Sequence, residues 1–278
     1  IADRPGLVVG FVGGAISKAG TTFTSLGNPE EVLVSSGFLG ALLAGFIGGY
    51  VVLFLKKLFS FMPKSLEGIR TILIYPVAGV LLIGIIMLLI NPFVSAINTG
   101  LNNFLSSMSE VNKVILGAIL AGMMSVDLGG PVNKAAYTFG TGMLAEGHYE
   151  IMAAVMIGGM VAPLAIALLA TFFPKKLPKK ERQAGLLNYV MGLSFISEGA
   201  IPFASADPLR VLVSCVIGSA VSGALSMAFN CTLMAPHGGI FVLPLIGNWA
   251  WYVVALAAGS FVAMGIMAAW KKNVWEEK

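Results

Sequence analysis

Val32–Leu55, Glu150–Phe173 and Trp249–Trp270 are apolar runs of more than twenty residues, each leading into a lysine pair (Lys56-Lys57, Lys175-Lys176 and Lys271-Lys272). Roughly 20 apolar residues are enough to cross a bilayer as a helix. A positive charge at the end of such a run marks the cytoplasmic side. This pattern restricts the chain to membrane architectures before any motif is considered. Composition agrees: 57% of the 278 residues are hydrophobic and 11% are charged. A soluble domain carries about 25% charged residues, so this chain could not cover a water-facing surface. The formal charge of +4 is accounted for by the cytoplasmic lysines and arginines, and no nucleic-acid partner is needed to explain it.

The topology follows span by span. Val32–Leu55 runs inward, and Thr71–Ile90 returns outward to Asn91-Pro92, which should stop or kink it. Asn98–Val111, polar and almost uncharged with apolar residues at helical spacing, reads as an amphipathic helix lying in the outer interface. Glu150–Phe173 runs inward, so Val111–Tyr149 must make an even number of crossings. Its middle, however, carries Asp127-Leu128-Gly129-Gly130-Pro131-Val132-Asn133-Lys134. A re-entrant hairpin or a broken helix pair satisfies both requirements. Leu209–Phe229 and Trp249–Trp270 are further spans. The count closes only if Gly185–Ala206 and Met234–Asn248 are both re-entrant, from opposite faces, a recurrent construction of transporters. The expected fold is therefore an all-α polytopic membrane protein with two or three re-entrant or broken helical segments. Residues 1–173 would form an N-terminal membrane part with the first broken segment near 111–149. Residues 174–184 would form a basic cytoplasmic loop, and residues 185–278 a C-terminal membrane part. The opening Ile1-Ala2-Asp3-Arg4-Pro5-Gly6 has no initiator Met and no first-span pattern, which reads as a chain whose upstream spans are missing.

Three polar constellations sit inside this apolar frame. In Ser197-Glu198-Gly199-Ala200-Ile201-Pro202 a carboxylate arrives with its own helix breakers, so Glu198 and the backbone around Gly199 can face a polar ligand. The structural alternative is an ion pair of Glu198 with Lys134 or Arg210. Met234-Ala235-Pro236-His237-Gly238-Gly239 places His237 between breakers, where an imidazole can accept or donate a proton or simply be a satisfied buried side chain. In Asp127–Lys134, Asn133 offers a donor and an acceptor to a hydroxyl, and Asp127 is a second candidate ligand. Lys134 could pair with Asp127 or Glu198, or snorkel. Asp207-Pro208 has the form of an N-cap followed by proline at the first helical position. His148, in a charged loop, reads as an ordinary surface residue. Cys215 and Cys231 read as small buried hydrophobes. No phosphate loop, metalloprotease motif or nucleophile elbow occurs, so neither a metal nor a cofactor is expected and any chemistry needs a partner.

Taken together, Ile1–Gly6 (IADRPG), Gly129–Ala136 (GGPVNKAA), Ile196–Pro208 (ISEGAIPFASADP) and Pro236–Gly239 (PHGG) make the chain resemble the fructose-family membrane (IIC) component of the bacterial phosphoenolpyruvate-dependent sugar phosphotransferase system. The resemblance implies a multi-pass inner-membrane homodimer in contact with lipid. It would translocate fructose or a related hexose or hexitol while a phosphocysteine of a IIB partner phosphorylates the sugar. On that analogy Glu198 is the sugar-binding glutamate, His237 orients or deprotonates the reacting hydroxyl, and Asn133 lies in the first re-entrant segment. Neither cysteine has the setting of a phosphorylated thiol, so the donor lies on IIB. Two other readings are an ion-coupled secondary transporter, with Glu198 or Asp127 carrying H⁺ or Na⁺, and a membrane scaffold or sensor without substrate.

Overall fold

The computed structural model describes residues 3–27, 34–107 and 110–274. Two compact units are present, Ile1–Ser107 and Met108–Lys278. Five helices among the described residues are long and apolar enough to cross a membrane. The protein is thus an all-α polytopic membrane protein, and its sole sheet among those residues is a two-stranded antiparallel ribbon.

The first unit is built from α1 (Asp3–Ala19), the short α2 (Phe23–Gly27), α3 (Gly37–Leu58), a turn of α4 (Glu67–Ile69) leading into a π-helical stretch Arg70–Ile74, and α5 (Tyr75–Ser106). α1, α3 and α5 pack on one another around Val9, Ala44, Val52, Ile83 and Met87. Asn91 is fully buried at this junction. Its amide donates to the Ile16 and Thr21 carbonyls at 3.2 and 2.7 Å, and its oxygen accepts from the Ser36 hydroxyl at 2.9 Å.

This network explains a departure from expectation. Asn91-Pro92 does not end the helix, and Asn98–Val111 does not begin a separate interfacial one. α5 continues through Pro92 to Ser106, with Val94, Asn98 and Leu105 buried along its inner face. Pro92 removes one backbone hydrogen bond, which a helix anchored by Asn91 and packed on α1 and α3 tolerates. At 32 residues α5 is roughly 48 Å long, against about 30 Å of hydrocarbon. Its polar end therefore has room to run beyond the apolar layer. α1 is a further helix that the interrupted hydropathy of its sequence did not announce. The expected span start at Val32 falls outside the described residues, and the helix itself begins at Gly37.

The second unit is organised around α8 (Tyr149–Phe172), with 94% of its most apolar window buried. Around it pack α6 (Glu110–Val126), α7 (Pro131–Ala145), α9 (Lys179–Leu193), α11 (Pro208–Ala228) and α12 (Trp249–Trp270). A helix covered on every side must be apolar all round, and α8 is, with only alanine, glycine, methionine, valine and isoleucine over Ile151–Ala162. The spans expected at Glu150–Phe173, Leu209–Phe229 and Trp249–Trp270 agree with α8, α11 and α12 to within one residue. α6, α8 and α11 are joined by buried hydroxyls: Ser125 and Ser219 share a hydrogen bond of 2.7 Å, and Ser219 donates to the Gly158 carbonyl at 2.9 Å. Without water in the apolar layer such bonds hold helices together. Cys215 and Cys231 are buried and unpaired.

Three interruptions break this helical frame. α6 and α7 are separated by Asp127–Gly130, as the broken-pair reading of Val111–Tyr149 requires. α9 stops at Leu193, and the chain resumes as a 3-10 turn at Ser197–Ala200 and the short α10 (Ile201–Ala206). Between α11 and α12, β1 (Thr232–Leu233) pairs with β2 (Ile246–Gly247) around a 3-10 segment Gly239–Leu245, where a dip from the outer side was expected.

Asp207 and Pro208 stand at the N-cap and first position of α11, yet no side-chain capping bond forms. Its carboxylate instead accepts from Lys271 at 2.9 Å and from Arg210 at 3.3 Å, drawn away by two cations. Burial alone would raise the pKa of this carboxyl, but the lysine and arginine together hold it below its ordinary 3.8. A folded value below the unfolded one means stability that is present above the ordinary aspartate value and lost as pH falls through the lower folded value. Asp207→Asn should therefore lower the unfolding midpoint at pH 7, and its difference from wild type should close below about pH 4. Thermal unfolding in detergent across that range checks this; a difference that persists unchanged at low pH contradicts it.

Candidate functional site

The interruptions between α6 and α7, after α9 and before Gly239 converge on one small cavity. It measures about 150 Å³ and is lined by Asn133, Lys134 and Tyr137 of α7, by Phe195–Glu198 of the second break and by His237 of the third, with Met124 behind them. Four of the six sequence candidates, Asn133, Lys134, Glu198 and His237, thus meet although up to 104 residues separate them (237 − 133). Asp127 and Gly199 stand just outside the lining.

Asp127 shapes the start of α7. Its two carboxylate oxygens accept the backbone N–H groups of Val132 and Asn133 at 2.7 and 2.9 Å. That satisfies two of the donors orphaned at a helix N-terminus and complements the positive end of its dipole. The Asn133 amide, buried, donates to the Met124 carbonyl at 2.6 Å and reaches the Ser197 hydroxyl at 3.5 Å, so it ties the two breaks together.

Glu198 stands opposite α7 with an oxygen 3.6 Å from the Lys134 ammonium. The backbone of Gly129 passes close beneath that carboxylate. At φ +109° a side chain there would be strained, and a Cβ would lie 2.7 Å from the Glu198 Oε1. Gly199 serves a similar close approach on the other side, where a Cβ would run into the side-chain amide oxygen of Asn188. Asn188 itself is buried, and that oxygen has no hydrogen-bond partner among the described residues.

His237 packs edgewise on the Phe195 ring, with centroids 5.0 Å apart and planes at 57°. Phe195 also touches the Tyr137 ring at 6.1 Å and holds a left-handed backbone, φ +62°. A bulky residue in that region is uncommon and persists only when its surroundings fix it. Phe195, Tyr137 and Ser197 were not singled out as candidates. Tyr137 could have been found, since it follows Asn133 by four residues and so shares its helix face. Ser197 adjoins Glu198, but nothing in the sequence marks Phe195. Among the described residues no group of His, Cys, Asp and Glu could hold a metal ion.

The arrangement therefore offers a carboxylate, an ammonium, a primary amide and an imidazole on a cavity with two aromatic walls. Such groups suit a small polyhydroxylated solute.

The chain matches the family described as "Phosphotransferase system, EIIC" over residues 5–219. It is 48% identical over 279 residues to the fructose permease IIC component of Bacillus amyloliquefaciens, covering 100% of this chain and 86% of that protein. It is 45% identical over 278 residues to the PTS system fructose-specific EIIABC component of Bacillus subtilis, covering 100% of this chain and 42% of that one. The PTS system fructose-specific EIIC component of Haloferax volcanii is 40% identical over 278 residues, with 98% of this chain and 74% of the relative covered. The chain thus spans less than half of the longer, multi-component relative. No solved structure matches it.

Proposed function

The chain belongs to the phosphotransferase system EIIC family, and from that premise we propose that it carries fructose or a related hexose or hexitol across the cytoplasmic membrane as the sugar is phosphorylated. The observation that carries the reading is the meeting of Asn133, Lys134, Glu198 and His237 on one cavity of about 150 Å³. That is well below the 300–1,000 Å³ of sites for drug-sized ligands and in keeping with a single small polyol. Relatives named as fructose-specific support the choice of sugar.

In this reading the Glu198 carboxylate accepts hydrogen bonds from sugar hydroxyls, Lys134 donates to a neighbouring oxygen, and the Asn133 side-chain oxygen accepts from a further hydroxyl. Gly199 leaves room for the Asn188 side chain behind the turn that carries Glu198. Phosphoryl transfer asks mainly for in-line positioning and charge stabilisation. A phosphocysteine on a IIB partner supplies the phosphoryl group. The sugar oxygen–phosphorus bond forms as the sulfur–phosphorus bond breaks, and the hydroxyl proton passes to His237. The relatives named EIIABC and EIIB'BC components favour a IIB partner close at hand. A homodimer seated in lipid completes the proposal.

The test uses membrane vesicles that contain the protein and radiolabelled fructose. With phosphorylated IIB supplied on the cytoplasmic face, sugar phosphate should accumulate there, and without it nothing should. Accumulation of free sugar driven by an ion gradient, with no phosphoryl donor, would refute the reading.

A further inference from the structure

A second and larger cavity, about 600 Å³, opens in the first unit at the ends of α1, α3 and α4. Arg4, Lys56, Arg70 and Glu67 line it together with Ser60 and Tyr75. Among the described lining residues, three are cationic and one is a carboxylate. Glu67 does little to offset them, since its contact with Arg70 is 3.8 Å long and its side chain is 64% exposed.

Two further observations show that this is more than a solvated basic patch. The Arg70 side chain is mostly buried and donates to the Phe59 carbonyl at 3.2 Å, which fixes its guanidinium, yet its buried Nε has no partner among the described residues. Tyr75, 4% exposed, also lines the cavity. In addition, Arg70 opens a π-helical stretch, Arg70–Ile74, a rare departure found frequently at functional sites. A planar guanidinium held in place beside an arginine and a lysine is the donor set that matches phosphate oxygens.

We propose that this cavity binds a phosphoryl-bearing anion at the cytoplasmic end of the first unit. The lysine pair Lys56-Lys57 and the nearby Lys64 and Arg70 place that end in the cytoplasm. The anion is a phosphate ester carrying one to two negative charges. It is presented either by a phospholipid headgroup of the inner leaflet or by a soluble phosphate, and both would meet the same donors. The site is separate from the cavity of the second unit and independent of the sugar reading.

The experiment measures thermal unfolding of the purified full-length protein in neutral detergent. One arm titrates inorganic phosphate against chloride at equal ionic strength. The other titrates mixed micelles of phosphatidylglycerol against phosphatidylcholine. The expected result is a rise in midpoint with phosphate or phosphatidylglycerol that chloride and phosphatidylcholine do not give. Arg4→Gln and Arg70→Gln should each weaken the response roughly tenfold, the loss of one charge-assisted contact, while Lys180→Gln leaves it intact. A response to phosphatidylglycerol alone assigns the anion to a lipid; a response to phosphate assigns it to a soluble ligand. Arg4 is exposed, so its replacement keeps the test valid even if Arg70→Gln fails to fold. No rise in either arm, or a rise in both variants as large as in wild type, overturns the proposal.

Discussion

Replacing Glu198 by glutamine should reduce sugar uptake and sugar affinity about 100-fold while leaving the unfolding midpoint almost unchanged. The two halves of this expectation rest on different magnitudes. For folding, the Lys134–Glu198 pair is long, at 3.6 Å, and its side chains are 60% and 46% exposed. Exposed pairs of this kind contribute about 0–1 kcal/mol. For binding, a carboxylate that accepts hydroxyls of a bound sugar makes charged hydrogen bonds worth about 1.5–3 kcal/mol each. Glutamine keeps the shape, loses the charge and turns one acceptor into a donor, so a loss near 3 kcal/mol is about two orders of magnitude in affinity. Isothermal titration with fructose and uptake into vesicles provide the measurements. Wild-type affinity in the variant would sink the assignment of Glu198 as a sugar ligand. A fall in midpoint that accounts for the lost uptake would turn Glu198 into a structural residue.

The weakness of that ion pair as a stabiliser bears on why it is there. Gly129 holds an unusual backbone, φ +109°, directly under the Glu198 carboxylate, and Phe195 holds another, φ +62°, beside His237. Only Phe195 is strained by its left-handed backbone, whereas glycine at 129 lets the chain pass beneath the carboxylate at no steric cost.

Much of this was legible in the sequence, and the physical reason is the bilayer. A continuous apolar run as long as Trp249–Trp270 crosses as a helix, which satisfies its backbone within the segment, and α12 begins and ends where the run does. Charged residues accompanied by Gly and Pro inside such runs can survive only around a polar cavity, which is why Glu198, Asn133, Lys134 and His237 could be nominated together. What escaped was set by contacts remote in sequence. α5 continues past Pro92 because Asn91 bonds to residues 75 and 70 positions away. Asp207 leaves its N-cap role because Lys271, 64 residues on, claims the carboxylate. Phe195 is marked only by its backbone angle. Asp127 is expected from the sequence as a candidate ligand, and its geometry adds a second explanation.

That explanation leads to the other large effect. Asp127→Ala should lower the stability of the second unit by about 2 kcal/mol, because two backbone amides of α7 lose charged acceptors at once. Sugar affinity should fall with it, since the same turn positions Asn133 and brings Gly129 beneath Glu198. Asp127→Ser, which keeps one acceptor oxygen, should recover part of both losses together. This coupling separates positioning from direct contact. A residue that binds the sugar directly would lose affinity in the alanine variant with little change in unfolding, and serine would rescue one property without the other. Measuring the unfolding midpoint and fructose affinity for wild type, Asp127→Ala and Asp127→Ser decides between them. Proportional loss and proportional recovery assign Asp127 to the architecture of the helix break. A loss of affinity at wild-type stability returns it to the sugar.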